Sequence, residues 1–257
     1  MAAIQLTILG SGTSMGVPSL GCHCAVCESS DPHDKRMRAS ALLSWGGHNV
    51  VIDTTPDFRS QALRAKLDRL DAVIYTHAHA DHIMGLDDIR PYNFHQRSPI
   101  PLYGSEETLA RLREQFGYVF REAPAWSTIP SVELHTIKGP LNFFELEILP
   151  VAAKHGPTDV LGFRIRNMAY LTDFSSVPEG SKALLTGLDD LVLSALRDAP
   201  HVMHSTVAQS LALVDELKPK RAWFTHIAHD LGHEQTNARL PQYVRLAYDG
   251  LEIEVRD

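Results

Sequence analysis

"THAHADH", residues 76–82, follows the strand-like run "DAVIY" (71–75) and places four metal-capable side chains, His77, His79, Asp81 and His82, where a strand gives way to a loop. Alternate residues of an extended chain point to the same side, so His77 and His79 can grip one ion while Asp81 and His82 turn toward a second. One loop cannot complete two coordination shells. A catalytic ion takes about three protein ligands and keeps one position open, so the ends of other strands must contribute. Three residues occupy such ends: His155 in "PVAAKH" (150–155), Asp173 in "AYLTD" (169–173) and His226 in "RAWFTH" (221–226).

A second cluster lies upstream. "GCHCAVC" (21–27) holds every cysteine of the chain, Cys22, Cys24 and Cys27. Pairing leaves one thiol odd, and a bridge between Cys22 and Cys24 could not reach relaxed disulfide geometry. Thiolates are soft ligands suited to zinc, and a closed tetrahedral site asks for one more donor. His229, three residues past His226, can supply it; so, on sequence alone, can His33 or His233.

Composition narrows the partners. The 257 residues include 14 histidines and carry a formal net charge of -7, which argues against a broad electrostatic grip on extended nucleic acid but not against a small phosphate ester held by metal. No run approaches the roughly 20 apolar residues of a membrane span. The opening "MAAIQLTILGSGTSMG" reads as a strand entering a glycine turn rather than as a signal peptide, so a cytoplasmic location with reduced thiols is expected. The glycine-rich stretch lacks the lysine and serine or threonine of a phosphate-binding P-loop.

Strand-like runs are read at "IQLTILG", "NVVIDTT", "DAVIYTH", "IPLYGS", "VELHTI", "FELEILPV", "LGFRIR", "AYLTD", "DDLVLSAL" and "RAWFTH". Helices are predicted over 57–67, 105–117 and 205–218, with Asp57, Ser105 and Ser205 as N-caps. With no linker or repeat, the pattern predicts one layered α/β domain over residues 1–257 whose sheets are covered by helices.

The "HAHADH" ligands together with the three strand-end ligands resemble the metallo-β-lactamase-fold hydrolases over nearly the whole chain. That resemblance implies an αβ/βα four-layer sandwich holding two metal ions at one edge. It assigns His77, His79 and His155 to the first ion, Asp81, His82 and His226 to the second, and Asp173 to both. Two ions held about 3.5 to 4 Å apart would share a hydroxide nucleophile. "GTSMGVPSLGCHCAVC" (12–27), "THIAHD" (225–230) and "AYDGLEI" (247–253) further resemble the PhnP-type cyclic phosphodiesterases of the carbon-phosphorus lyase pathway. In that branch the cysteines and one late histidine bind a structural zinc near the N-terminus, which implies Cys22, Cys24, Cys27 and His229 here. A similar cysteine cluster occurs in the pyrroloquinoline-quinone biosynthesis proteins.

The implied activity is metal-dependent hydrolysis of a small cyclic phosphodiester of the phosphoribosyl 1,2-cyclic phosphate kind, with zinc or manganese at the paired site. Asp81 and His204 are the expected catalytic residues: His204, in "HVMHSTVAQSLAL" (201–213), corresponds to the acid that protonates the leaving oxygen in PhnP-like enzymes. The competing readings are a tRNA 3′-end endonuclease, a thioesterase of the same fold, or a non-catalytic accessory protein like the quinone-cofactor branch. Relatives suggest a homodimer. Asp53, in "VVIDTT", is either the carboxylate that orients a ligand histidine or a turn residue. Asp249 reads as a turn residue. His23 is expected to face away from the zinc, Asp230 and His233 to support its loop or the pocket wall, and His48, His95, His135 and His201 to play no part.

Overall fold

The computed structural model describes residues 3–121 and 128–256. Among these described residues, fourteen strands form two sheets of seven. The first contains β1 (Ile4–Gly10), β2 (Ser40–Trp45), β3 (His48–Ile52), β4 (Ala72–Ile74), β5 (Ile100–Gly104) and β6 (Val132–Thr136). The second contains β7 (Leu141–Phe143), β8 (Leu146–His155), β9 (Thr158–Ile165), β10 (Met168–Leu171), β11 (Asp190–Ser194), β12 (Arg221–Thr225) and β13 (Val244–Leu246). The last strand, β14 (Glu252–Val255), returns to the first sheet and pairs with β1, giving the orders β14-β1-β2-β3-β4-β5-β6 and β13-β12-β11-β10-β9-β8-β7.

The sandwich follows from strands that are apolar on both faces, as expected where both are covered. In β3, Val50 and Ile52 face the centre while Val51 faces outward; in β10, Met168 and Tyr170 face the centre while Ala169 and Leu171 face outward. The inner faces pack sheet on sheet, with Leu6, Leu43 and Ile74 in the same cluster as Ile148, Phe163 and Val192. Helices α1 (Phe58–Arg64), α2 (Ala80–Ile83), α3 (Arg90–Gln96) and α4 (Glu106–Gln115) accompany the first sheet, and Phe58, Ile83, Tyr92 and Leu112 cover its outer face. Of α5 (Glu179–Lys182), α6 (Val207–Leu217) and α7 (His233–Arg239), α6 covers the second sheet with Val207, Val214 and Leu217. This is the αβ/βα four-layer arrangement. No helix among the described residues is long and apolar enough to cross a membrane.

Strands β3 to β6 run parallel, as do β10 to β13. Ligands of open α/β sheets gather beyond the carboxyl ends of such strands, and Asp53, Asp173 and His226 all lie within two residues of a strand's end.

Two helix starts differ in detail from their prediction. Thr206 rather than Ser205 caps α6, through a capping box with Gln209, and Ser205 Oγ instead pairs with Ser210 Oγ at 2.8 Å. Asp57 stands at the N-cap position of α1 but makes no cap bond, because its carboxylate accepts from the Arg38 backbone N–H at 2.9 Å and from the Arg38 guanidinium at 3.0 Å. Ser105 does cap α4, accepting from the Thr108 N–H at 3.1 Å.

Phe163 is fully buried where the sheets meet. Phe163→Ala should therefore lower unfolding free energy by about 3 to 5 kcal/mol, read from the denaturant midpoint of the metal-loaded protein.

Candidate metal centres

His77, His79, His155 and Asp173 present ligand atoms within 4.8 Å of one another, as do Asp81, His82, Asp173 and His226. The seven predicted ligands thus form two sets joined at Asp173. Its two oxygens serve different sides: Oδ1 lies 2.9 Å from His226 Nε2, and Oδ2 lies 3.1 Å from His82 Nε2 and 3.7 Å from His77 Nε2. Asp81 Oδ2 stands 3.3 Å from His82 Nε2 and 3.7 Å from His226 Nε2. Six of the seven are at least partly buried, whereas His79 is exposed and marks the open side of the site.

The rings are aimed by the groups behind them. Asp53 Oδ2 accepts from His82 Nδ1 at 2.7 Å and from Thr76 Oγ1 at 2.7 Å, while its Oδ1 accepts from the Thr76 N–H at 2.8 Å. His82 Nε2 is thereby left facing Asp81 and Asp173, so Asp53 orients a ligand and is not a simple turn residue. His155 Nδ1 donates to the Met203 carbonyl at 2.7 Å, and His77 Nδ1 pairs with Thr76 Oγ1 at 3.0 Å. Ser194 Oγ lies 2.6 Å from the Asp173 backbone nitrogen. Sequence reasoning missed Thr76, Ser194 and the Met203 carbonyl, which carry no motif; only adjacency to a ligand hinted at Thr76.

The backbone pays a cost here. Asp53, Asp173 and His226 have φ of 65°, 52° and 54°, in the left-handed region that aspartate and histidine enter more readily than most residues but that still stores strain. Turning left at the strand's end throws each side chain into the shared edge.

A divalent cation fits this donor set. His77 Nε2 and His226 Nδ1 are buried without a hydrogen-bond partner, and each such atom costs about 1 to 3 kcal/mol if nothing satisfies it. Imidazoles mixed with carboxylates suit zinc, manganese or iron. Burial opposes ionisation of Asp173, yet the His226 and His82 rings outweigh it and hold its carboxyl well below the usual range. Burial likewise opposes a charge on His226, and Asp173 overrides it, raising that ring to about 9. Protons thus occupy positions that a bound cation must displace.

The cysteines form a separate centre. Cys22, Cys24, Cys27 and His229 offer ligand atoms within 4.8 Å of one another, and the three thiols are free. Cys22 Sγ and Cys24 Sγ each lie 3.3 Å from His229 Nδ1. The Cys27 backbone N–H, donating at 3.4 Å, and then His229 lower the Cys24 thiol to about 6, whereas burial raises Cys27 to about 11. Three sulfurs and one nitrogen are a donor set that would suit a structural zinc. The cysteine loop is seated independently: the Thr13 N–H donates to the Ile227 carbonyl at 3.1 Å, and buried Arg36 donates to the Leu231 carbonyl at 2.8 Å. His33 and His233, the other donors the sequence allowed, stand outside this set and meet each other.

His204 packs against the paired site, its ring centroid 4.5 Å from His155 and 4.9 Å from His226. Burial, and then His226, push it down to about 3. His201 is exposed, its Nδ1 accepting from the Met203 N–H at 3.2 Å. His23 points outward to Glu28 at 3.0 Å, and Asp230 is exposed. Asp249 is more than a turn residue: it accepts from the backbone N–H groups of Ser11 and Met37, each at 2.8 Å, and so staples the loop entry. His48 and His135 stack on Phe144 and Tyr103, and His95 lies on α3.

The family described as beta-lactamase superfamily domain matches residues 48–227. A crystal structure of a new diphosphatase from the PhnP family superposes with a TM-score of 0.93 and 48% identity, covering 98% of each chain. Zinc-bound PqqB from Methylobacterium extorquens, at 20% identity and a TM-score of 0.79 over 98% of this chain and 100% of that one, shares the fold. An octanoyltransferase of Porphyromonas gingivalis is 38% identical over 97% of this chain but only 51% of that protein, so the chain spans about half the length of that relative. A ribonuclease Z of a Mycobacterium species is 24% identical over 85% of this chain and 73% of its own length.

Cys24→Ser should cost about one bound zinc per chain by elemental analysis, with the paired site still filled. Asp53→Ala should weaken metal binding at the paired site by about 10- to 100-fold in a chelator competition.

Proposed function

The chain belongs to the beta-lactamase superfamily and, within it, to the PhnP family, and from that premise we propose that this hydrolase cleaves a phosphodiester-type bond in a small substrate, a cyclic phosphodiester of the phosphoribosyl 1,2-cyclic phosphate kind. The observation that carries the proposal is the convergence of two ligand sets on the one Asp173 carboxylate. His77, His79 and His155 would hold one ion, zinc or manganese, and Asp81, His82 and His226 a second. Such a pair supplies Lewis acidity toward phosphoryl oxygens and brings the pKa of water close to neutrality.

The chain's own residues do the rest. Asp53 and the Met203 carbonyl keep the His82 and His155 rings in one orientation, so little reorganisation accompanies the reaction. His204 is held neutral in the free protein, and an entering phosphate anion would favour its protonated form. A proton on that ring would then pass to the departing oxygen. A net charge of -7 suits a small substrate better than an extended nucleic acid.

Hydrolysis of a diphosphate linkage is the second reading, favoured by the 48% identical diphosphatase. An anhydride expels phosphate, a better leaving group than an alkoxide, and so relies less on an acid. Acyl transfer, in the name of the Porphyromonas protein, belongs to a chain about twice as long and is not carried over.

The test is metal-replete turnover of a 2′,3′-cyclic nucleotide, bis(p-nitrophenyl) phosphate and a dinucleoside diphosphate, with His79→Ala as the inactive control. Turnover of the diesters supports the first reading; turnover of the diphosphate alone selects the second; silence on all three overturns both. His204→Ala should slow diesters with alkoxide leaving groups by about 10²- to 10⁴-fold while sparing the activated aryl ester.

A further inference from the structure

His33, His233 and Glu234 present ligand atoms within 4.8 Å of one another and belong to neither centre described above. His33 comes from the N-terminal loop, whereas His233 and Glu234 open α7. The two imidazoles lie face to face at a tilt, centroids 4.5 Å apart, with Tyr248 4.3 Å from the His33 ring.

We infer that these three side chains form a further metal site, for a divalent transition ion of the zinc class, joining the N-terminal loop to α7. Two imidazoles and a carboxylate are a complete protein donor set for zinc with a position left for water. His233 is 6% exposed and its Nδ1 is buried with no hydrogen-bond partner, a ring nitrogen that a bound ion would satisfy. Asp31 Oδ1 accepts from the His33 backbone N–H at 2.8 Å and lies 3.4 Å from the His33 Nδ1, which fixes the backbone of that residue and sets a carboxylate beside its ring. Local charge allows a cation. The nearby positive charge, buried Arg36, is paired with Asp34 at 2.8 Å, and the carboxylates of Asp31 and Glu234 lie beside the two imidazoles. Burial keeps His233 below its usual pKa, so the ring is in its ligating form at neutral pH.

With three protein ligands and no thiolate, this site binds more weakly than the cysteine centre and exchanges its ion. It spans the same two segments that the cysteine centre joins, since Cys22, Cys24 and Cys27 lie upstream of His33, and His229 lies four residues before His233.

The inference is independent of the reaction catalysed. Zinc-loaded protein is dialysed against buffered free zinc from nanomolar to high micromolar, and ions per chain are counted by elemental analysis for wild type, His33→Ala and Glu234→Gln. Wild type should saturate with one ion more than His33→Ala, and Glu234→Gln should need about tenfold more free zinc to fill. The zinc-dependent rise in melting temperature over the micromolar range should vanish in His33→Ala. Equal counts in wild type and His33→Ala overturn the inference. Should that variant not fold, Glu234→Gln, at an exposed position, decides by the same count: an unchanged zinc requirement overturns it.

Discussion

One carboxylate organises the molecule. Asp173 is fully buried between two groups of imidazoles, its oxygens directed at different rings, and it reaches that place because β10 ends two residues earlier in a left-handed turn. A charge so placed is tolerated only when opposite charges surround it, and His82, His226 and whatever cation replaces their protons supply them. The sheets bring the rings to it: β4 leads to His77, β8 ends at His155 and β12 leads to His226. Sheet-on-sheet packing therefore doubles as the ruler that sets distances in the site.

The cysteine loop is tied to this edge at both its entry and its exit. Asp249 anchors Ser11 and Met37, while Arg36 reaches across to the Leu231 carbonyl. The segment carrying His226 also carries His229, so the paired site and the cysteine site share one stretch of backbone. The 29 residues between Gly10 and Ser40 hold one short 3₁₀ turn at Pro32–Asp34 and isolated bridges such as Val17 to Arg36, so their shape depends on these ties.

What the sequence disclosed followed from locality. His77, His79, Asp81 and His82 are legible because strand periodicity and ligand chemistry coincide within seven residues. His155, Asp173 and His226 were legible as strand ends, because short runs of aliphatic, aromatic and β-branched residues precede them. Asp53 stayed ambiguous, since its partner His82 lies 29 positions away and only the parallel pairing of β3 with β4 brings the two ends together. Strand β2, "SALLSW", escaped detection because serine, alanine and leucine do not announce a strand; its place between β1 and β3 decides its conformation. Ser205 and Thr206 are adjacent and equally capable caps, and the choice fell to Thr206 because Ser210 claims the Ser205 hydroxyl.

The left-handed turns at Asp53, Asp173 and His226 bear on the protein's lifetime in a cell. Backbone strain and unpartnered nitrogens both weigh on the metal-free form; a bound ion satisfies the nitrogens, and its binding free energy offsets strain that the turns keep. An ion that binds the folded chain alone adds about 2.7 kcal/mol when its free concentration is a hundred times its dissociation constant. With ions bound as proposed, abundance would be coupled to metal supply: chains made during metal starvation would spend more time open to proteases, and their quantity would fall together with the ion.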